Sequence, residues 1–259
     1  PVSIIDAPLK SNEEIVGGIV IFRDITIEKS VDKMKSGFVS IASHQLRTPL
    51  TSIRWIAEML LSGDVGNIKK SQKQFIEDIY DSALKLIELI NTLLVLSRVE
   101  AGSIEINPLE IDLVKFSKDI IKESDHLVED KKLKIEIKSS KKIPSVKLDS
   151  IILRQVISNL INNSIRYTNK KGKISIFIEQ KGKEIIYSVA DNGIGIPEKQ
   201  QNKIFDKFFR ADNARLKESN GSGIGLTLVK YLVELWKGWI WFESKEGEGT
   251  TFYFTIPLI

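Results

Sequence analysis

Three separated clusters in this chain carry residue types that can do chemistry. The first is Ser43-His44-Gln45-Leu46-Arg47-Thr48-Pro49-Leu50, and it holds one of only two histidines in the sequence. An imidazole can serve as a base or as a nucleophile. The second is Asn159-Leu-Ile-Asn162-Asn163-Ser-Ile-Arg166-Tyr167-Thr168. The third is a pair of Gly-rich stretches, Asp191-Asn192-Gly193-Ile194-Gly195-Ile196-Pro197 and Gly221-Ser222-Gly223-Ile224-Gly225-Leu226. The last two clusters read together as a nucleotide pocket. A histidine apart from such a pocket points to an imidazole that receives phosphate.

The elements that position these residues follow from spacing. Apolar residues recur at Val31, Met34, Phe38, Ala42, Leu46, Leu50, Ile53, Ala57 and Leu60. Steps of three and four predict a helix over about Ile27–Leu61 with one apolar stripe. His44 lies two residues from Ala42 and from Leu46, so about 100° per residue turns it to the outer face. Pro49 lacks an N–H and crowds the carbonyl of Gln45, which predicts a bend after His44. Ser62–Asn67 breaks the pattern. A second helix follows, with Phe75, Ile79, Ala83, Leu86, Ile90, Leu93 and Ser97 on one face. Two such helices make an antiparallel hairpin whose stripe is too wide for one copy to cover. A homodimeric four-helix bundle is the expected outcome.

From Ile104 the pattern turns to mixed α/β. The expected elements are strand 104–106, helix 112–130, strand 133–138, helix 150–167, strands 173–180 and 184–190, helix 223–236 and strands 239–244 and 250–256. The gap from Asp191 to Ser222 is long for a connection and is expected to be a mobile lid. On helix 150–167, Leu153, Val156, Ile157, Leu160 and Ile161 form the core face. Asn159 and Asn163 are four apart and share another face. Their amide oxygens are hard neutral ligands suited to Mg²⁺, with Arg166 one turn on to add charge. Asp191 can accept a hydrogen bond from the exocyclic amine of adenine, while Gly193 and Gly195 let backbone approach the flat base. Gly221, Gly223 and Gly225 with Leu226 open a helix whose N–H groups can cradle phosphates. This stretch is neither a dinucleotide fingerprint nor a Walker A loop. Between the two stretches, Phe205, Phe208 and Phe209 can anchor a lid, and Lys207, Arg210, Arg215 and Lys217 can face phosphates.

In this order the motifs resemble those of the sensor histidine kinases of two-component signalling. The H, N, G1, F and G2 boxes of that family correspond to His44–Pro49, Asn159–Thr168, Asp191–Gly195, Phe205–Phe209 and Gly221–Gly225, and the resemblance spans about 25–259. It implies a multidomain chain: an all-α helical hairpin forming a dimeric four-helix bundle, then an α/β sandwich ATP-binding domain of the Bergerat type, shared with the gyrase, Hsp90 and MutL ATPases. It implies ATP and Mg²⁺ as cofactors and a response regulator receiver domain as partner. By the same resemblance His44 is the phosphate carrier, Asn163 the main Mg²⁺ ligand with Asn159 beside it, and Thr48 the residue that places water to dephosphorylate the regulator. Arg166, Tyr167, Asp191, Gly193, Gly195, Arg210, Gly221, Gly223, Gly225 and Leu226 are expected at the nucleotide. Two departures stand out. Gln45 follows the histidine where the family has Glu or Asp, and an amide cannot take up a proton there. Trp236-Lys237-Gly238 stands where the family often shows His-Gly-Gly, and Trp236 and Trp239 are read as packing residues. A nucleotide-binding scaffold without turnover is the alternative reading.

Composition sets the outer bounds. The 259 residues are 42% hydrophobic and 28% charged, ordinary for globular units, and suffice for two cores. A net charge of +4 with scattered lysines does not indicate a nucleic-acid partner. Lys131-Lys132 and Lys170-Lys171 read as solvated ends of elements. There is no Cys, hence no disulfide and no thiolate chemistry. No apolar run is long enough to span a bilayer, so no membrane contact by this fragment and a cytoplasmic location are expected. The runs Val2–Ile5 and Ile15–Arg23 with the turn Lys10–Glu13, followed by Asp24-Ile25-Thr26, resemble the final hairpin of a PAS sensory domain. The start looks like the middle of a longer receptor. The expected divisions are a PAS-like remnant at 1–24, the hairpin domain at 25–101 and the ATP-binding domain at 102–259.

Overall fold

The computed structural model describes residues 1–11, 14–104, 106–140, 143–218 and 221–258. The chain divides into two units, Pro1–Ser103 and Ile104–Ile259. In the first unit, β1 (Val2–Ser11) and β2 (Glu14–Asp24) pair antiparallel with Val2 opposite Asp24. Both strands run longer than the sequence pattern suggests, because cross-strand bonding carries the pairing past the apolar runs. The predicted turn residues Asn12 and Glu13 lie outside the described residues. Ile4, Ile5, Val20, Ile21 and Phe22 stay exposed, since a two-stranded ribbon has no second layer to cover them.

Helix α1 (Thr26–Ser62) follows at once and runs unbroken through Pro49. It ends where Gly63 takes a left-handed conformation, φ 84°, the usual stop for a helix. Helix α2 (Lys70–Glu100) packs back on it. Small Ala57 and Ala83 are buried along with Ile90, Leu94, Leu96 and Val99, and Arg47 Nη2 donates to Asn91 Oδ1 at 2.7 Å between the helices. Much of the predicted stripe stays open: Phe38, Leu46 and Ile53 on α1, and Phe75, Ile79 and Leu86 on α2. Two helices bury one seam, and a stripe wider than that seam faces outward. Among the described residues no helix is long and apolar enough to cross a membrane.

The second unit contains β3 (Pro108–Ile111), α3 (Leu113–Glu123), α4 (Asp125–Lys131), β4 (Lys134–Ser139), β5 (Val146–Asp149), α5 (Ser150–Tyr167), β6 (Lys173–Lys181) and β7 (Glu184–Asp191). A 3₁₀ turn (Glu198–Lys203), α6 (Asp212–Lys217), α7 (Gly225–Leu235), β8 (Ile240–Lys245) and β9 (Gly249–Pro257) follow. The main sheet has the order β4-β6-β7-β9-β8, with β4 and β6 parallel and the other pairs antiparallel. Ile174, Ile176, Ile178, Tyr187, Val189 and Phe254 on its inner face are fully buried, as are Leu153, Val156, Ile157, Leu160 and Ile161 of α5 and Leu228, Val229, Leu232 and Val233 of α7. These form one core between a helical layer and a sheet. Tyr187 stacks on Phe254 with ring centroids 4.9 Å apart, and its hydroxyl meets Ser117 Oγ at 2.8 Å. Burial pushes that phenol well above its ordinary range.

Two expectations need correction. The strand expected at 104–106 is absent from the described residues there; the strand is Pro108–Ile111, which pairs with the unforeseen four-residue β5. The helix expected over 112–130 is two helices, broken at Ser124. The long gap after Asp191, expected as a lid, carries the 3₁₀ turn and α6.

Candidate active site

His44 sits on α1 with its side chain exposed, while Ser43 beside it is buried at 5%. The helix therefore turns the imidazole outward, the arrangement a phosphate-accepting ring needs. Gln45 is also exposed. The Thr48 hydroxyl lies one turn on, 3.5 Å from the His44 carbonyl. Pro49 offers the Gln45 carbonyl no amide, which leaves a backbone acceptor open one residue from the imidazole.

In the second unit, β7 ends at Asp191, and the turn that follows folds back on its carboxylate. Gly193 N donates to Asp191 Oδ1 at 2.9 Å, and Ser164 Oγ of α5 donates to Oδ2 at 3.2 Å. Burial pushes the Asp191 carboxyl up from its ordinary value, while these two bonds, the Thr250 backbone and the charge of Lys217 pull it back. A carboxylate has about four acceptor positions, so it retains capacity for an amine donor such as that of adenine. Gly193 is required here: a Cβ would stand 2.5 Å from the Tyr167 carbonyl and 2.7 Å from Asp191 Oδ1.

One turn toward the N-terminus of α5 from Asn163, Asn159 donates from Nδ2 to Gln155 O at 2.7 Å. Its Oδ1 lies 2.7 Å from where a Cβ on Gly225 would stand, so the bare glycine at the start of α7 sits against the amide. The first N–H groups of that 11-residue helix have no intrahelical partner and carry partial positive charge. Asn163 is half-buried, and its amide has no hydrogen-bond partner among the described residues. Among the described residues no group of three or more His, Cys, Asp or Glu could hold a metal. A neutral amide pair beside the positive end of a helix is a donor set that suits Mg²⁺, which keeps waters and takes further oxygens from phosphates.

Residues 34–102 match the His Kinase A (phospho-acceptor) domain, and residues 148–259 match the histidine kinase-, DNA gyrase B-, and HSP90-like ATPase. The chain belongs to the histidine kinases. It is 34% identical over 254 residues to the sensor histidine kinase WalK of Bacillus subtilis, covering 96% of this chain and 41% of that protein. Across three curated relatives it spans 31%, 41% and 58% of their lengths. The crystal structure of full-length ShkA in complex with AMPPNP shares its fold, with a TM-score of 0.72 at 24% identity over 85% of this chain and 45% of that one. So does histidine kinase ThkA in complex with the response regulator protein TrrA, with a TM-score of 0.58 at 21% identity over 99% and 75%.

The remaining charged residues of this histidine kinase are placed differently from the sequence expectation. Arg210 donates to the carbonyls of Gly221 at 3.3 Å and Ala214 at 3.0 Å, and to that of Glu218, so its guanidinium ties together the chain that follows it. Lys217 donates to Tyr167 O and to Asn169 Oδ1, each at 2.7 Å, rather than standing free toward phosphates. Arg215 is exposed, while Arg166, Tyr167 and Leu226 are half-buried. Gly195 and Gly223 have φ near +62° and +70°; Gly221 lies against Arg210. Phe205 packs edge-on against Phe242 with centroids 6.0 Å apart, whereas Phe208 is exposed. Trp236 donates from Nε1 to Thr255 O at 2.9 Å, as a packing role requires, but Trp239 is 75% exposed and does not pack.

Two residues escaped the sequence reading. Ser164 is a polar side chain that continues, at helical spacing, the apolar face of Ile157, Leu160 and Ile161, a signal that could have been used. Lys131 caps α5 through Ile165 O and Arg166 O, each at 2.8 Å, instead of being solvated. Nothing local in its sequence announces that role.

Proposed function

We propose that this chain is the core of a sensor histidine kinase that phosphorylates His44 from ATP and passes the phosphoryl group to an aspartate of a response regulator. A ring nitrogen of His44 attacks the γ-phosphorus; the P–N bond forms as the bond to the bridging oxygen of ADP breaks, and the ring proton leaves. The product retains a reactive P–N bond that a carboxylate oxygen of the regulator can displace. The ShkA complex with AMPPNP supports a nucleotide in the second unit, and the ThkA complex with TrrA supports the class of partner.

The observation that carries the reading is the largely buried Asp191 carboxylate, held by Gly193 and Ser164, in the same unit as the unpartnered Asn163 amide and the Gly225 helix start. We assign the adenine amine to Asp191 and the metal to Asn163 with Asn159 beside it. Mg²⁺, when bound, neutralises charge on the transferring phosphates. The N–H groups at the start of α7 hold the phosphates, and Arg166, Tyr167 and Leu226 line the nucleotide. Thr48 positions water for dephosphorylating the regulator. The scaffold alternative rests on Gln45 alone, and an amide there removes a base while leaving the nucleophile.

The open apolar faces of α1 and α2 support a homodimer through the hairpin. The β1–β2 ribbon with Asp24-Ile25-Thr26 supports a PAS-like segment at 1–24, followed by the hairpin domain at 25–101 and the ATP-binding domain at 102–259. Use of ATP places the core in the cytoplasm. Incubation with γ-labelled ATP and Mg²⁺ tests the whole reading. An acid-labile, alkali-stable label is expected, and no label on the protein would overturn it.

A further inference from the structure

The C-terminal end of α5 attracts two lysines from different elements. The last carbonyls of a helix have no amide donors of their own and carry partial negative charge. Lys131, in the last turn of α4, supplies Nζ to Ile165 O and Arg166 O at 2.8 Å and to Thr168 O at 3.4 Å. Lys217, in the last turn of α6, supplies Nζ to Tyr167 O and Asn169 Oδ1 at 2.7 Å. Bringing both ammonium groups to one helix end costs solvation: burial lowers the pKa of each, and the charge of Lys131 lowers that of Lys217 further. Lys131 alone already caps three carbonyls. The remaining carbonyl of the last turn, Tyr167 O, falls to Lys217.

What sets Lys217 apart is where it comes from. It belongs to the segment between the two Gly-rich stretches. The carbonyl it holds, Tyr167 O, also accepts Ile194 N at 3.3 Å from the turn that follows Asp191. One backbone oxygen thus fixes both the turn at the base-reading carboxylate and the end of α6. At its other end α6 is held by Asn213 Nδ2 on Gly195 O at 3.0 Å and by Gln200 Oε1, which accepts Asp212 N at 2.9 Å. We propose that Lys217 is a positioning residue that latches the lid segment to the end of α5, setting how fast a nucleotide bound against Asp191 can leave. This rests on the kinase reading for the identity of the ligand.

The two lysines provide the test, because they share a helix end and only one comes from the lid. With the full chain and a fluorescent ADP, Lys217→Met should raise the release rate at least about tenfold, the size expected for losing even one of its two charge-assisted bonds at a half-buried site. Lys217→Arg should restore most of it. Lys131→Met should lower the melting temperature while leaving the release rate within about twofold. Hydrogen exchange without nucleotide should speed up over Asp212–Lys217 in Lys217→Met and not in Lys131→Met. An unchanged release rate in Lys217→Met, or an equal rise in Lys131→Met, would overturn the latch. Wild-type protein that binds no fluorescent ADP would overturn the kinase reading instead, and unchanged exchange over α6 would then overturn the latch independently.

Discussion

Replacing Asp191 with Asn exchanges one oxygen for an NH₂ group and separates the cost of this carboxylate from its use. The wild-type group accepts bonds from Gly193 N at 2.9 Å and Ser164 Oγ at 3.2 Å, and the Thr250 backbone and the Lys217 charge also favour its ionised form. An amide reproduces both: its oxygen accepts from Gly193 N, and its NH₂ donates to the Ser164 oxygen, since a hydroxyl also accepts. What it cannot do is offer the same free acceptors to an incoming amine, which would meet NH₂ instead. Losing a charge-assisted bond and leaving a donor unpaired amounts to about 2–3 kcal/mol, or roughly 30- to 150-fold in affinity. Stability should move the other way. Burial holds the folded pKa of Asp191 above its ordinary value, so the fold favours the neutral form. That favourable contribution is complete below the unfolded pKa and is lost as pH rises through the folded one. At neutral pH the wild-type domain therefore bears an unfavourable charge that Asp191→Asn removes. The expected pair of results is weaker ADP binding by titration and a melting temperature equal to or above wild type, with the difference shrinking as pH falls through the carboxyl's pKa. Binding within threefold of wild type, or a clear drop in melting temperature at neutral pH, would refute the reasoning.

Other expectations follow from separate features. His44→Ala should abolish acid-labile labelling while leaving ADP affinity within about twofold; label persisting at the exposed His126 would sink the assignment of His44. Gly225→Ala would place a Cβ 2.7 Å from Asn159 Oδ1, so Mg²⁺-dependent labelling should fall at least about tenfold with little change in the far-ultraviolet circular dichroism spectrum. Ile79→Glu should convert the homodimer to monomers by light scattering, because it would bury an unpaired charge in the bundle. Ile90 is the wrong position for that test, since it is already buried within one hairpin. Gln45→Glu should raise the initial labelling rate at saturating ATP, by less than the ~10²–10⁴-fold that a general base can contribute, because phosphoryl transfer depends mainly on positioning.

Helix α5 was legible because its apolar face is periodic; the structure adds an N-cap, Asp149 accepting from the amides of Ile151 and Ile152. Asp191 was legible for a related reason: a carboxylate between a strand and glycines has few structural uses. Strand β5 was not, because four residues show too little alternation and its existence depends on pairing with β3, some 35 residues earlier. The cations were legible as charges but not as contacts. Arg210 was read toward phosphate, yet its partners are carbonyls of its own segment. Lys131 was read as solvated, because its partners lie 34 and 35 residues away at an end that only the fold brings near. Trp239 is expected to pack beside Trp236, and the chain turns it outward.

The junction between β2 and α1 has no slack. Asp24 Oδ1 accepts from both the amide of Thr26 at 2.9 Å and its hydroxyl at 2.6 Å, and Ile25 N donates to Pro1 O at 3.0 Å. The ribbon is thereby welded to the first turn of the helix. From Thr26 to His44 is 18 residues, about five whole turns and about 27 Å. The imidazole therefore leaves the axis at nearly the same angle as the first residue of the rod. Up to that point no proline interrupts the shaft. The first residue of the helix and the imidazole therefore face the same side of one continuous rod, so the strand junction and the phosphate-accepting position are in register along it.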